Sequence, residues 1–246
     1  MDIKFYRTYF KIEKEHWVMR ARRLIVHDSL DKYLNKKPQD TKILDFGCGT
    51  GLVIEEFQKR GFNCYGIDVS AEAIRFGELQ GIKNLSVIDS DKINFPKGSF
   101  DAVFALDVLE HLPNEDQALK EIDRVLKPGG IFIIQVPAYM FLWGVQDEIA
   151  HHYRRYTKQS LSKLIHSSTP FEEIRSTYFN TLLFLPILLV RWFTKITGWR
   201  NRESDFDINS PFLNKIFFSI FSFETKLLRK INFPFGVSIL MVLRKN

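Results

Sequence analysis

The feature that most constrains the fold of this chain is an apolar run that leads into three closely spaced glycines. Residues 43–46 form the run, Gly47, Gly49 and Gly51 follow it, and an amphipathic stretch begins at residue 52. Glycine accepts positive φ and lets a ligand approach the backbone, and the first turn of a helix presents free N–H groups. The dinucleotide fingerprint places its third glycine one position later. The segment therefore predicts a ligand-binding strand–loop–helix unit.

Acidic residues follow the next two predicted strands. The second strand ends at Asp68 and Val69, and the third ends at Asp89 and Ser90. Open α/β sheets bind their ligands beyond the carboxyl ends of neighbouring strands. A carboxylate at residue 68 suits two vicinal ribose hydroxyls, and one at residue 89 suits the exocyclic amine of adenine.

From residue 42 to about residue 178 the chain alternates short apolar runs with amphipathic stretches. This alternation predicts a mostly parallel sheet with helices on both faces. The predicted strands are 42–46, 63–67, 85–88, 100–105, 130–136, 171–178 and a last β-branched run, 237–243. The predicted helices are 9–34, 52–60, 71–79, 114–126, 158–166, 180–196 and 212–231, with a stop at 127–130 before the fifth strand.

The net charge of +6 is confined to the end of the chain. Residues 1–179 hold 25 basic and 25 acidic side chains, whereas residues 180–246 hold ten basic and four acidic ones and ten of the 23 phenylalanines. Such a segment is typical of a surface that meets an acidic partner or a membrane. A packed helical cap with a solvated basic face explains the same counts. The apolar run 182–190 is too short to span a bilayer, which takes about 20 residues.

Composition excludes several classes of protein. A chain that is 45% hydrophobic and 26% charged, with mean hydropathy of −0.13, is typical of a soluble globular protein. Cys48 and Cys64 alone cannot form a disulfide framework or a four-cysteine zinc site. Because the adjacent His151 and His152 diverge, we expect no metal site. No apolar leader follows Met1, and a cytoplasmic protein is expected.

The ordered motifs resemble those of the class I S-adenosylmethionine-dependent methyltransferases. Residues 45–51 are similar to the family's first motif, an acidic residue followed by G-x-G-x-G, and Asp68 and Asp89 match its next two acidic sites. Residues 95–103, 106–112 and 126–130 are similar to the strand-four region and the turn before strand five of the ubiquinone-biosynthesis-like subgroup. The likeness covers residues 42–136.

The resemblance implies an α/β fold with a doubly wound, seven-stranded sheet of order 3-2-1-4-5-7-6, in which strand 7 is antiparallel. The chain would form a single domain of residues 1–246. Its expected parts are an N-terminal helical lid (1–41), a Rossmann-like core (42–179), a helical cap inserted between strands 6 and 7 (180–232) and the last strand (233–246).

The resemblance also implies S-adenosylmethionine as cofactor and S-adenosylhomocysteine as product. The residues expected to bind it are Asp45, Gly47, Gly49 and Gly51 at the methionine portion, Asp68 with Val69 beside it at the ribose, Asp89 and Ser90 at the adenine, and Asp107 at the methyl end. Arg22 is a candidate for the methionine carboxylate, and the alternative is a solvated arginine on a basic helix face.

A dense polar cluster after the fifth strand is the candidate acceptor site. Its pattern Asp-x4-His-x-Arg-Arg-Tyr is similar to that of bacterial and archaeal methyltransferases found with glycan and lipid-linked sugar enzymes. By that likeness His152 is the general base, Asp147 orients it, and Arg155 and Tyr156 hold an anionic or hydroxylated acceptor. His111 is a second catalytic candidate. In the alternative, the arginines pair with the acids and only pin the loop.

The expected function is methyl transfer to a small-molecule or lipid- or sugar-linked acceptor, with oxygen as the expected acceptor atom. A catalytically silent S-adenosylmethionine-binding partner protein and an RNA methyltransferase are the alternatives. Residues 106–109 lack the Pro-Pro motif of base-directed enzymes, so no nucleic acid is expected. We expect a monomer or homodimer, cytoplasmic or peripheral at the inner face of a membrane, with residues 180–232 as the contact surface.

Overall fold

Residues 3–88, 92–197 and 210–246 are described by a computed structural model of the chain. Their strands are β1 (Lys42–Phe46), β2 (Asn63–Asp68), β3 (Leu85–Val87), β4 (Phe100–Leu106), β5 (Leu126–Pro137), β6 (Glu172–Phe179) and β7 (Ser238–Arg244). They form one sheet of order β3-β2-β1-β4-β5-β7-β6. β7 is antiparallel to β5 and β6, and the pairs among β1 to β5 are parallel. The predicted strand order and the antiparallel last strand are confirmed.

Helices flank the sheet and connect its strands. Within the described ranges they are α1 (Ile3–Glu15), α2 (Trp17–Tyr33), α3 (Leu52–Lys59), α4 (Ala71–Leu79), α5 (Glu115–Val125), α6 (Val145–Ile149), α7 (Lys158–Ser168), α8 (Phe184–Thr197) and α9 (Pro211–Leu228). The last two lie between β6 and β7, where the helical cap was predicted.

Two apolar clusters cover opposite faces of the sheet. One lies against α5 and α7, and the other lies against α2, α3 and α9. In β4, Val103 belongs to the first cluster and Phe104 to the second, as the alternating side-chain direction of a strand requires. Because both faces are buried, this strand reads as a continuous apolar run.

The helix predicted over residues 9–34 is two helices, because the chain breaks at His16. The backbone of His16 is extended, and α2 begins at the next residue. Asn214 of α9 accepts a hydrogen bond from the Trp17 N–H (2.7 Å) and donates one to the Glu15 carbonyl (3.0 Å). This break rests on a contact between distant parts of the chain, which local periodicity does not reveal.

The fifth strand begins earlier than predicted. The predicted stop at 127–130 is part of β5, which starts at Leu126, directly after α5. The Gly129 N–H donates to the Lys245 carbonyl (2.8 Å), and the Lys245 N–H donates to the Gly130 carbonyl (3.0 Å). Pairing with the end of the chain therefore extends the strand through a glycine-rich segment.

The two helices of the predicted cap are attached in different ways. α9 packs on α2, with the ring centroids of Trp17 and Phe217 5.4 Å apart, and its Phe221 is fully buried. α8 contains no buried residue. In the parts of the chain that the structure describes, no helix has both the length and the apolar character needed to cross a membrane. The cap thus combines one packed helix with one exposed helix.

Candidate active site

The glycine loop after β1 requires glycine at each predicted position. Gly47, Gly49 and Gly51 have φ values of 78°, 54° and 82°, which lie in the left-handed region that side chains disfavour. A Cβ at Gly47 would lie 2.4 Å from a methyl carbon of Val108. The Ile67 carbonyl accepts from the Gly47 N–H (2.8 Å) and ties the loop to β2. The loop is therefore held open at the end of the sheet.

Asp68 lies at the tip of β2, as predicted, and contacts this loop. Its Oδ2 accepts from the Gly49 N–H (2.8 Å), and its Oδ1 accepts from the Ser70 N–H (2.8 Å). Val69 beside it is exposed. The carboxylate is thus fixed between the glycine loop and the start of α4, with an exposed side open to a ligand.

The two predicted adenine contacts, Asp89 and Ser90, lie outside the described residues. Ile88, the described residue just before them, donates its N–H to the Asp68 carbonyl (2.9 Å). Their role remains a prediction.

Asp45 supplies the observation that tests the fit of the cofactor. This residue of β1 is buried, and its Oδ1 has no hydrogen-bond partner. Burial, followed by the charges of Asp68 and Glu13, raises the pKa of Asp45 well above its usual range. A cationic amine would satisfy such an oxygen. Asp45, Asp68 and the glycine loop therefore fit the amino, ribose and methionine groups of S-adenosylmethionine.

Helix α1 lies over the glycine loop and brings two residues that the sequence analysis missed. The Thr50 hydroxyl donates to Glu13 Oε2 (2.5 Å). Burial raises the pKa of Glu13 to about 7. Burial and the neighbouring carboxylates of Glu13, Asp107 and Asp68 raise the pKa of the Tyr9 phenol. Tyr9 therefore lies among the acids that surround the predicted cofactor site.

Two predicted cofactor residues, Arg22 and Asp107, form an ion pair. Arg22 also donates to the Ser238 hydroxyl at the start of β7 (2.9 Å). Asp107 follows β4 with a φ of 55°, and its N–H donates to the Gln135 carbonyl of β5 (2.8 Å). Positive φ is uncommon outside glycine, and aspartate is among the residue types that tolerate it. The Arg22 side chain therefore reaches the carboxyl ends of the strands, which disfavours a solvated surface role.

Asp147 is the centre of the predicted acceptor cluster and is fully buried. Its two carboxylate oxygens accept from Arg155 Nε (2.7 Å) and Nη2 (2.9 Å), and Oδ1 lies 2.9 Å from His152 Nδ1. Burial alone would raise the pKa of Asp147, but the hydrogen bonds from His152 and Arg155 hold it well below its usual range. Because an ionised carboxylate only accepts, Nδ1 carries the proton and Nε2 is the basic nitrogen.

The structure gives Arg155 and Tyr156 different partners from those predicted. Arg155 is buried and donates to Asp147 and to the Ala138 carbonyl (3.1 Å). The buried Tyr156 hydroxyl donates to Glu115 (3.0 Å). Arg155 thus binds Asp147 inside the segment 139–156, here called the acceptor loop, and Tyr156 ties the end of that loop to Glu115 of α5. The Arg155 contacts are those expected of the alternative in which the arginines pin the loop, and contact of Arg155 or Tyr156 with an acceptor stays a prediction.

Glu110, His111 and His152 meet beside Asp147. The rings of His111 and His152 are 4.6 Å apart and perpendicular, and one donor atom from each of the three residues lies within 4.8 Å of the others. Glu110 is fully buried, and neither carboxylate oxygen has a hydrogen-bond partner. Such a set could hold a divalent cation. The prediction of no metal site rested on the adjacent histidines and the two cysteines alone. It did not include His111, which the turn after β4 brings close to His152.

Burial is the main cause of the pKa shifts of Glu110 and His111. Burial, followed by the charge of Asp107, raises the pKa of Glu110 well above its usual range. Desolvation, followed by the neighbouring His152, lowers the pKa of His111. Both shifts favour the uncharged form of the side chain.

Aromatic side chains that the sequence analysis did not single out as one group form a wall at the start of the acceptor loop. Tyr139 stacks on Phe141 (4.9 Å between centroids) and on Tyr178 (5.0 Å). Phe184, at the start of α8, contacts Tyr139 edge-on (6.2 Å) and Phe235 (5.3 Å). This wall joins the end of β5 to the exposed helix and offers flat apolar surface to an aromatic or aliphatic group.

Comparison with known proteins adds to this geometry. Residues 44–134 match the family described as "Methyltransferase domain". The chain is 37% identical over 95 residues to a ubiquinone biosynthesis O-methyltransferase of Dechloromonas aromatica, and the aligned residues make up 36% of this chain and 41% of that protein. It is 35% identical over 109 residues to a 2-methyl-6-phytyl-1,4-hydroquinone methyltransferase of Synechocystis, and here the aligned residues make up 41% of this chain and 33% of that protein.

A solved structure supports the fold. Phosphoethanolamine N-methyltransferase 2 of Haemonchus contortus, in complex with S-adenosyl-L-methionine, matches with a TM-score of 0.57 at 20% identity over 88% of this chain and 51% of that chain. The chain spans less than half the length of the two curated relatives. The family match ends at residue 134, before the acceptor loop and the cap.

Proposed function

Residues 44–134 of this chain are a methyltransferase domain of the class I S-adenosylmethionine-dependent family, and from that premise we propose that the protein methylates a hydroxyl group on a ring-bearing acceptor with an apolar tail. The observation that carries the proposal is the buried Asp147, which fixes one ring nitrogen of His152 and leaves the other basic. Relatives named for ubiquinone and phytyl-hydroquinone methylation support the acceptor class.

The cofactor supplies a methyl group on a positively charged sulfur. This chain's residues must hold it and position the acceptor. In the proposal Asp45 accepts from its amino group, Asp68 accepts from its ribose hydroxyls, and the glycine loop lies along its methionine portion. Asp107 follows β4, and the Arg22 side chain reaches from α2 to Asp107 and to the start of β7, so both would face the reacting end. Positioning of this kind lowers a barrier without new covalent chemistry.

His152 is the proposed general base. Nε2 would take the proton of the acceptor hydroxyl, and Asp147 would stabilise the resulting imidazolium. Asp147 performs this role as an ionised, buried acceptor that also fixes the ring orientation. General bases of this kind contribute roughly 10²- to 10⁴-fold to the rate.

The aromatic wall and α8 support an apolar acceptor. Tyr139 and Phe141 present stacked rings at the start of the acceptor loop. α8 continues this surface with exposed side chains such as Leu185 and Trp192. We propose that the ring of the acceptor lies against the wall and that its tail extends toward α8, which contacts a membrane surface. A lipid-linked sugar is the alternative acceptor.

The test compares His152→Ala with the wild type. Methyl transfer from labelled S-adenosylmethionine is measured to a hydroquinone, a catechol and a lipid-linked sugar, and cofactor affinity is measured by calorimetry. We expect turnover with the phenolic acceptors to fall about 10²- to 10⁴-fold while cofactor affinity is unchanged. His166→Ala, on the exposed end of α7, is the matched control and keeps wild-type turnover.

Three outcomes would contradict the proposal. Wild-type turnover in His152→Ala would place the base elsewhere. Cofactor binding without turnover on any acceptor would favour the silent partner protein. Transfer to RNA in place of the phenols would favour the nucleic-acid alternative.

A further inference from the structure

α8 presents its apolar side to solvent, the reverse of an ordinary surface helix. Leu185, Leu189, Trp192 and Ile196 lie on one stripe at helical spacing and are 60%, 54%, 63% and 64% exposed. The opposite side, which includes Phe184 and Arg191, is half-buried against the body. The name "outer stripe" is used below for these four residues. A helix of this kind suits the interface of a lipid bilayer.

Charge favours an anionic bilayer. Lys195 of α8 and Lys215 and Lys226 of α9 are exposed. Among the described residues of α8 and α9, one is acidic, Glu224, and its side chain is buried. Lys195 lies on α8 itself, and a lysine next to an apolar stripe binds anionic headgroups, at about 1 kcal/mol for each cation near the surface. A protein partner that bound this surface would have to be acidic. Vesicles of neutral lipid are the comparison for the anionic vesicles.

One side chain of α8 points the other way and enters the acceptor loop. The Arg191 guanidinium donates to the Leu142 carbonyl, and its Nη1 lies 3.6 Å from Asp147 Oδ2. The guanidinium also lies close to Gly144, since a Cβ added to Gly144 would be 3.4 Å from Arg191 Cζ and Nη1. Asp147 therefore has two guanidinium neighbours, Arg155 from its own loop and Arg191 from the exposed helix.

The rest of α8 is held mainly at its first turn. Glu224 accepts from the Thr181 N–H (2.8 Å) and the Leu182 N–H (2.9 Å), just before the helix begins. Phe184 packs on Phe235. Beyond this turn the helix buries no residue, and segments with few buried contacts change position at low cost in free energy. A change in the position of α8 is therefore transmitted to Asp147 through Arg191.

We propose that Arg191 is a positioning residue that couples docking of α8 on an anionic membrane to the Asp147–His152 pair. Docking of the outer stripe fixes the helix, Arg191 then holds the Asp147 carboxylate, and Asp147 holds the His152 ring. The proposal rests on the proposed function and adds its regulation. Loss of a residue that orients a metal ligand costs roughly 10- to 100-fold, and on that scale we expect anionic vesicles to raise kcat about tenfold.

The experiment uses the full chain and a water-soluble catechol, so that partition of the acceptor into lipid does not contribute. Phosphatidylcholine vesicles with and without phosphatidylglycerol are added, and co-sedimentation and turnover are measured. The wild type is expected to bind the anionic vesicles and to gain activity. Arg191→Gln is expected to bind them equally and to gain none, and Arg191→Lys is expected to regain part of the effect.

Two further variants separate the steps. Trp192→Glu is expected to lose vesicle binding and the activity gain together. Arg60→Gln is the matched control, because this arginine pairs with Asp31 on another part of the surface, and it is expected to behave as the wild type. An activity gain in Arg191→Gln equal to that of the wild type would overturn the proposal, as would wild-type binding without a gain or the absence of binding.

A second readout does not require turnover. With histidine-labelled protein, the His152 ring signal is identified by its loss in His152→Gln. Anionic lipid nanodiscs are expected to shift that signal in the wild type and not in Arg191→Gln. An unshifted wild-type signal on bound nanodiscs would overturn the coupling. If every acceptor fails but the signal shifts as expected, the proposed function is wrong and the coupling stands.

Discussion

At the scale of single residues, Asp147 connects more of the candidate site than any other side chain described above. It accepts from His152, from Arg155 and from the Gly144 N–H (2.7 Å). Spacing along the chain predicted that Asp147 and His152 would act together. It could not show whether Arg155 faces an acceptor or the loop, because that depends on how the loop folds over Ala138.

Asp147→Asn removes the charge with little change of shape. Arg155 would then be a buried cation without an ionic partner, which costs about 3–5 kcal/mol, and His152 would lose its orientation. We expect a lower melting temperature and a loss of turnover, measured by calorimetry and by the methyl-transfer assay. Asp116→Asn, which breaks an exposed pair with Lys120 on α5, should leave both unchanged. Equal melting temperatures for Asp147→Asn and the wild type would contradict this account.

Glu13 gives stability a pH dependence that the sequence did not suggest. Its pKa rises from 4.5 to about 7, so between these values the folded state holds a proton that the unfolded state has lost. The contribution of Glu13 to stability is therefore full below pH about 4.5 and is lost as pH rises through 7. Glu13→Gln cannot ionise. We expect the variant to gain melting temperature relative to the wild type between pH 5 and pH 8.

The exposed Glu78 of α4 provides the control for that measurement. Glu78→Gln should follow the wild type at every pH. A constant difference between Glu13→Gln and the wild type from pH 5 to pH 8 would show that Glu13 is ionised throughout.

At the scale of elements, local pattern predicted the sheet but did not predict contacts between distant segments. The strands could be read because each is a short apolar run between turns, and the glycine loop because its residues are contiguous. The break at His16 depends on Asn214, and the position of Arg191 depends on Asp147. Neither pair is close in the sequence, so periodicity carries no signal for them.

The glycine loop supplies a prediction for one element. Gly47→Ala places a Cβ in a left-handed conformation and against Val108 at 2.4 Å. We expect it to lose most cofactor affinity, measured by calorimetry, because the loop must move away from β4. Gly98→Ala has a similar φ of 65° but open space around its Cβ, so it should cost about 1 kcal/mol of stability and retain affinity. Wild-type affinity in Gly47→Ala would show that the loop does not contact the cofactor.

The two helices of the cap supply a second prediction at this scale, because truncation of a side chain should affect stability in one helix and not in the other. Phe221→Ala, in the packed α9, should lower the free energy of unfolding by about 3–5 kcal/mol, as buried phenylalanines do. Trp192→Ala, in the exposed α8, should change it by less than about 0.5 kcal/mol. Denaturant unfolding measures both. A large loss in Trp192→Ala would mean that α8 is packed in solution and not available to a membrane.

At the scale of the whole molecule, the charge excess of residues 180–246 takes on a structural meaning. The count alone allowed a membrane surface or a packed cap, and the structure shows that α9 is packed and that α8 buries no residue. Composition could not make that division, because both helices are apolar and basic. The family match covers residues 44–134 and ends before the acceptor loop and α8.

The most direct test of the central claim is a structure of the protein with S-adenosylhomocysteine and a phenolic acceptor. The account predicts that the acceptor hydroxyl oxygen lies within about 2.6–3.2 Å of His152 Nε2, with the ring against Tyr139 and the cofactor amine at Asp45. An acceptor bound away from His152, or a cofactor that does not contact Asp45 and Asp68, would contradict it.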